Sequence, residues 1–228
     1  MARVTAVIVH WQDLEETRGC VASLAGEDVD VLVVDNASRE PIGALLGPAV
    51  RVLRSPENRG YAGGANLGIE AALARGAEIV LLLNNDARVL PGATAAAVAV
   101  LAGDARVAVV GPKVLTREDR SRLWLAWGDV TYRQSLVALR GAGALDGPAF
   151  AQQRDVAWIA GCAMWFRREA LTAIGLFDEA FFAYHEEVDW CVRAKRIVLR
   201  AAKYLRMRID AALPPEPRPV WVTTAAGA

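Results

Sequence analysis

Five runs of aliphatic residues, at 4–9, 29–34, 50–53, 79–83 and 107–110, lack the polar alternation of a half-exposed strand. Continuous apolar runs rich in Val and Ile mark strands covered on both faces, and hence a mostly parallel sheet. The intervals 14–24, 41–46, 64–74 and 91–101 read as helices, with Pro91 suited to a first turn that needs no N–H. Strand and helix in alternation imply βαβ units with right-handed crossovers. Beyond Pro112 the rhythm loosens around Trp124, Trp127, Tyr132, Trp158 and Trp165. Residues 155–166 suit one or two strands, and 167–174 a short helix ending at Gly175. An aromatic loop then feeds an acidic helix start, and Arg193, Arg196, Arg200 and Lys203 recur at helical spacing. The expected organisation is a nucleotide-binding half over 1–112 and an acceptor-side half of the same domain over 113–212. A proline-rich tail over 213–228 is expected to lack structure.

Two of the apolar runs end abruptly in acids: 31–36 closes on Asp35 and Asn36, and 81–86 closes on Asn84, Asn85 and Asp86. In a parallel sheet these ends share one rim, where open α/β folds bind ligands. Asp and Asn also cap helices that follow strands, so either acid alone has a bland reading. At the start of the late helix, Glu186, Glu187 and Asp189 suit the positive end of the helix dipole. Helical geometry puts Glu186 and Asp189 on one face, with Glu187 about 100° away.

Charge narrows the class, because 26 basic residues balance 26 acidic ones in 228 residues. A nucleic-acid partner held by a general basic field is not expected. Cys20, Cys162 and Cys191 form no CxxC pair and read as reduced thiols, which with the absence of a signal-like start points to the cytoplasm. No apolar run approaches the roughly 18 residues of a membrane span. Membrane contact would therefore be peripheral, at the inner face, through the basic C-terminal helix.

Residues 56–68 make a glycine-rich turn opening a helix, whose free N–H groups could meet phosphate oxygens. The glycines could equally serve tight packing. Their spacing fits neither GxGxxG nor a P-loop.

Together, 7–11, 33–38, 56–66, 82–86, 161–163, 175–179 and 186–189 resemble the family-two inverting glycosyltransferases, closest to the rhamnosyltransferase-like branch. The resemblance runs in order from about residue 3 to about residue 193. It implies a GT-A fold, an α/β fold with a Rossmann-like, mostly parallel central sheet flanked by helices and an irregular acceptor-side region. It also implies a nucleoside diphosphate sugar donor and a bound Mg²⁺ or Mn²⁺. Asp35 matches the acid at the nucleotide base or ribose, and Val9, His10 and Trp11 line the same pocket. Asn36, Arg59, Gly60, Gly63, Asn66, Asn84 and Asn85 fall in the other nucleotide-side blocks. Asp86 matches the metal-holding acid, and Glu187 the general base, with Glu186 and Asp189 as its alternates.

The implied reaction moves a sugar, with dTDP-rhamnose as one candidate donor, onto a cell-envelope glycan or lipid-linked acceptor. Relatives in that family usually carry a downstream His, whereas this chain has only His10 and His185. An altered or truncated C-terminus leaves a second reading, a sugar-nucleotide-binding protein without turnover.

Overall fold

The computed structural model describes residues 2–131, 136–200, 206–210 and 221–224, with side chains as far as residue 196. Strands β1 (Val4–His10), β2 (Asp30–Asp35), β3 (Arg51–Arg54) and β4 (Ile79–Asn84) pair in parallel in the order β3-β2-β1-β4. After β5 (Arg88–Val89) come β6 (Val107–Thr116), β7 (Leu123–Leu125), β8 (Trp127–Val130), β9 (Val137–Arg140), β10 (Arg154–Asp155) and β11 (Ala163–Arg167). β11 inserts between β4 and β6, antiparallel to both, so β6 runs in the same direction as β4. The sheet continues through β12 (Arg206–Asp210) to β10, while β13 (Trp221–Thr224) pairs with β5 and β6.

Among the described residues five α-helices flank the sheet: α1 (Leu14–Ser23), α2 (Gly60–Ala74), α3 (Ala93–Gly103), α4 (Arg168–Ile174) and α5 (Glu186–Arg200). Alternate residues of one strand feed the two faces. Val7 and Val9 of β1 join Ala65 and Ile69 of α2 in one core, which also takes in Trp190 of α5. Ala6 and Ile8 join Cys20 of α1 and Ala97 of α3 in the other. Burial of every residue of β1 is why that strand shows no alternation.

Several expected elements differ. The helix over 41–46 is one 3₁₀ turn, Gly43–Leu45, capped by Leu46 and followed by Gly47 at a left-handed φ of 83°. Pro91 lies outside its helix. Gly92, at φ 84°, is the N-cap of α3, and the Glu27 carboxylate accepts from the Gly92 and Thr94 N–H groups (2.6 and 2.8 Å). α2 starts at Gly60, four residues earlier than its apolar pattern suggests. β6 runs beyond Pro112 to Thr116 because β7 and β13 pair with its second half. Trp221–Thr224 is a strand inside the expected structureless tail; the rest of that tail, Tyr132 and Lys203 lie outside the described residues. Among the described residues no helix is long and apolar enough to cross a membrane.

Candidate active site

The C-terminal ends of β1, β2 and β4 lie side by side, with His10 in register with Asp35 and Val9 with Asn84. Asp35 and Asp86 therefore do leave the sheet at one rim. β11 starts at this rim and runs the opposite way, and the Asn84 N–H donates to the Cys162 carbonyl just before it (3.0 Å). The start of α5 completes the rim. Between these elements opens a cavity of about 470 Å³, lined by Asn84, Asp86, Gly161, Cys162, Glu186 and Glu187. Tyr61, Trp124, Trp158, Ala160, Ala183 and Tyr184 complete its wall.

Three oxygens at this cavity, Asn84 Oδ1, Asp86 Oδ1 and Glu186 Oε2, are buried and have no hydrogen-bond partner among the described residues. Such atoms cost stability unless something from outside meets them. Burial raises the Asp86 carboxyl above its ordinary value, helped by Glu16 and opposed by Arg88 and Arg117. Burial likewise raises Glu186. Glu187 is pushed up to about 7, by desolvation first and the Glu186 charge second. The Tyr61 phenol is held well above its usual range by burial and then by the Glu186 charge, and it donates to the Gly161 carbonyl (3.1 Å).

No cluster of three or more His, Cys, Asp or Glu suited to hold a metal occurs among the described residues. A hard cation bound through substrate phosphates needs only one or two protein carboxylates and keeps several waters. The unpartnered Asp86 oxygen, with the Asn84 amide oxygen on the same wall, fits that demand in ligand type.

The other residues singled out from the sequence do not line this cavity. Both Asp35 oxygens are engaged: Ser38 donates to Oδ1 through its N–H (2.9 Å) and hydroxyl (2.6 Å), and Arg54 pairs with Oδ2. Burial alone would raise its carboxyl, but these donors outweigh it and hold Asp35 below its ordinary value. His10 is buried against the Thr17 hydroxyl (2.7 Å), and desolvation lowers its pKa despite Asp35 and Asp13. Asn85 also donates to that hydroxyl (3.3 Å), Val9 packs in the core, and Trp11 stands 55% exposed. Asp189, placed on the Glu186 face by helical geometry, accepts from Arg193 one turn on (2.7 Å), while Glu186 and Glu187 both line the cavity.

For the glycine-rich turn, packing is the better account. The Gly60 N–H donates to Asn58 Oδ1 (2.9 Å) and the Ala62 N–H to the Phe182 carbonyl (3.1 Å), so these donors are not free. A Cβ at Gly63 would come within 2.6 Å of the Arg59 Cβ. One at Gly64 would meet Val9 at 2.8 Å. Asn36 donates to Asn58 and to the Gly60 carbonyl (3.0 and 2.9 Å). Arg59 pairs with Glu179 (2.9 Å), and Asn66 exchanges two bonds with the Phe177 backbone (2.9 and 3.0 Å). These residues bolt α2 to the loop that carries the acids.

Tyr61, Trp124, Trp158, Cys162 and Tyr184 line the cavity without having been singled out as site residues. Tyr61 and Cys162 sit inside the resembling blocks, and Tyr184 sits beside the acids, which is the signal that marks them.

A protein-family model described as Glycosyl transferase family 2 matches residues 5–175. The low-salt glycan biosynthesis hexosyltransferase Agl10 of Haloferax volcanii is 26% identical over 195 residues, 85% of this chain and 62% of that protein. The chain thus spans less than two thirds of that relative's length. An uncharacterized protein of Mycobacterium tuberculosis, Rv1525, is 43% identical over 82 residues, 36% of this chain and 30% of its own. GalNAc-T7, solved with UDP, GalNAc and Mn²⁺, superposes with a TM-score of 0.68 at 12% identity, covering 98% of this chain and 43% of that one. S. aureus TarS gives 0.63 at 13% identity, covering 96% and 60%. These likenesses establish a GT-A type fold.

Proposed function

The chain belongs to glycosyl transferase family 2, and on that premise we propose that it transfers a hexosyl or deoxyhexosyl group from a nucleoside diphosphate sugar to an acceptor hydroxyl with inversion. The observation that carries this reading is one cavity holding unpartnered oxygens of Asn84, Asp86 and Glu186 beside a Glu187 with a pKa of about 7. Asp86 would hold Mg²⁺ or Mn²⁺, which when bound supplies positive charge to the departing diphosphate. Glu187, poised near neutrality, accepts the acceptor hydroxyl's proton at its carboxylate as that oxygen attacks the anomeric carbon. Glu186 supports this by keeping the Glu187 proton affinity high. Tyr61 donates to the Gly161 carbonyl, and Gly161 leaves room for about one methyl group between its backbone and the Glu187 stem, since an added Cβ would lie 3.5 Å from it.

A hexose donor follows the named hexosyltransferase relative, and dTDP-rhamnose follows the rhamnosyltransferase-like motifs. The expected acceptor belongs to a glycan, at the cytoplasmic face of the envelope. UDP or dTDP with Mn²⁺ should raise the melting temperature, since any ligand selective for the native state does; saturation at 100 times Kd adds about 2.7 kcal/mol. Asp86→Asn should abolish the Mn²⁺-dependent part of that rise. Absence of stabilisation by every nucleoside diphosphate, with and without Mn²⁺, would overturn the reading.

A further inference from the structure

The N-terminal end of the sheet, opposite the rim that carries Asp86, holds a second concavity that sugar transfer leaves unused. Register sets Thr5 beside Asp30 and Leu32 beside Arg51, so these four side chains project from one face of β1, β2 and β3. That is the face α2 packs on. The helix ends at Ala74, with Arg75 as its C-cap and Gly76 at φ 87°, and beside its end lies a cavity of about 150 Å³. Arg3, Arg51 and Arg75 reach it from the approach to β1, from β3 and from the end of α2, and Thr5, Asp30 and Leu32 also line it. Arg3 has a structural task, since its Nη1 donates to the Arg75 carbonyl (2.9 Å). Arg168 donates to the Leu73 and Ala77 carbonyls (2.7 and 3.1 Å), so the negative end of α2 is already compensated. Arg51 and Arg75 have no such task. Both are exposed, and among the described residues neither guanidinium pairs with a carboxylate, although Asp30 stands at the same hollow.

The geometry points to a binding site for a phosphoryl group, held between Arg51 and Arg75, with Arg3 adding charge and the nearly buried Thr5 a hydroxyl. Three arginines against one aspartate leave the hollow positive, and like charges gathered without a counter-ion repel one another. Guanidinium forks match phosphate oxygens bidentately, which a single ammonium does not. The volume lies below the roughly 300–1,000 Å³ of ordinary ligand pockets, so the hollow takes the phosphoryl group itself and leaves the rest of a larger molecule outside. Thr5 to His10 is about 17 Å of strand at 3.3 Å per residue, which separates this site from the Asp86 rim and makes it independent of the transfer reading. A soluble phosphate and the phosphomonoester headgroup of a lipid share this chemistry.

Isothermal titration calorimetry with inorganic phosphate, in HEPES buffer containing EDTA, tests the site free of any metal-dependent binding at Asp86. Saturable binding at a single site is expected. Arg51→Gln and Arg75→Gln should each weaken it at least about tenfold, since each removes a charge-assisted hydrogen-bonding group. Asp86→Asn should leave it unchanged. No saturable binding up to millimolar phosphate, wild-type affinity in both glutamine variants, or loss of binding on Asp86→Asn would each overturn the assignment. Both arginines are exposed, so their variants should keep the wild-type melting temperature; a clear drop would mark the arginine as structural and overturn its role here. Sedimentation with phosphatidylcholine vesicles, with and without phosphatidic acid, then separates the two sources. Retention that needs phosphatidic acid and is lost in both glutamine variants assigns the group to a lipid, whereas phosphate binding without retention assigns it to a soluble phosphate ester.

Discussion

At the residue scale the decisive quantity is the proton on Glu187. A base with a pKa of about 7 must lose its proton before it can accept one. kcat/KM for transfer is therefore expected to rise with pH and reach half its plateau near 7. Glu186→Gln removes a like charge, so that limb should move to lower pH while desolvation keeps it above the ordinary carboxylate range; an unmoved limb would dissociate the two acids. The same group makes a stability statement of fixed sign. Its folded pKa lies above its unfolded value of 4.5, so its favourable contribution is complete below pH 4.5 and is lost as pH rises through 7. Glu187→Gln should thus leave the melting temperature nearly unchanged at pH 4 and raise it by a few degrees at pH 8, as read by calorimetry. Which residues gather in the cavity was only partly legible in the sequence. Asp86 and Glu187 follow strand and helix ends, which patterning locates. That both Asp35 oxygens are engaged by Ser38 and Arg54 depends on an arginine 19 positions away, for which no periodicity gives a signal.

At the scale of elements, α2 shows what the glycines accomplish. Ala is better than Gly inside a helix by about 1 kcal/mol, but a Cβ on Gly68 would lie 2.3 Å from Val7 Cγ1 and 2.8 Å from Val34 Cγ2. Those β-branched neighbours have little rotamer freedom, and overpacking costs about 1–3 kcal/mol. Gly68→Ala should therefore lower the urea midpoint. Gly103→Ala, with nothing within 4 Å of the added carbon, should leave it equal or higher. The buried strands were readable because both faces are covered. The boundaries of α2 and α3 were not, because partners distant in sequence set them. Glu27 caps α3 from 65 residues away, and the Phe182 carbonyl meets the first turn of α2 across the fold. The glycine-rich turn resembled a phosphate cradle because its donors are engaged in ways that spacing does not reveal: the Gly60 N–H by the Asn58 side chain, and the Ala62 N–H by the Phe182 carbonyl over a hundred positions downstream.

At the scale of the whole molecule, the parallel core β3-β2-β1-β4 and its helices follow from the sequence pattern, whereas the neighbour of β4 does not, because that position belongs to β11, about eighty residues further on. A ribosome delivers β4 and β6 long before the strand that separates them. Until Ala163–Arg167 emerges, two strands of buried aliphatic residues have unpaired inner edges, the kind of surface that templates pairing with other chains. The nascent polypeptide must pass through an interval in which its hydrophobic sheet is split in two. Escape from aggregation is then expected to depend on how fast translation crosses residues 117–162, which include the short strands β7 to β10.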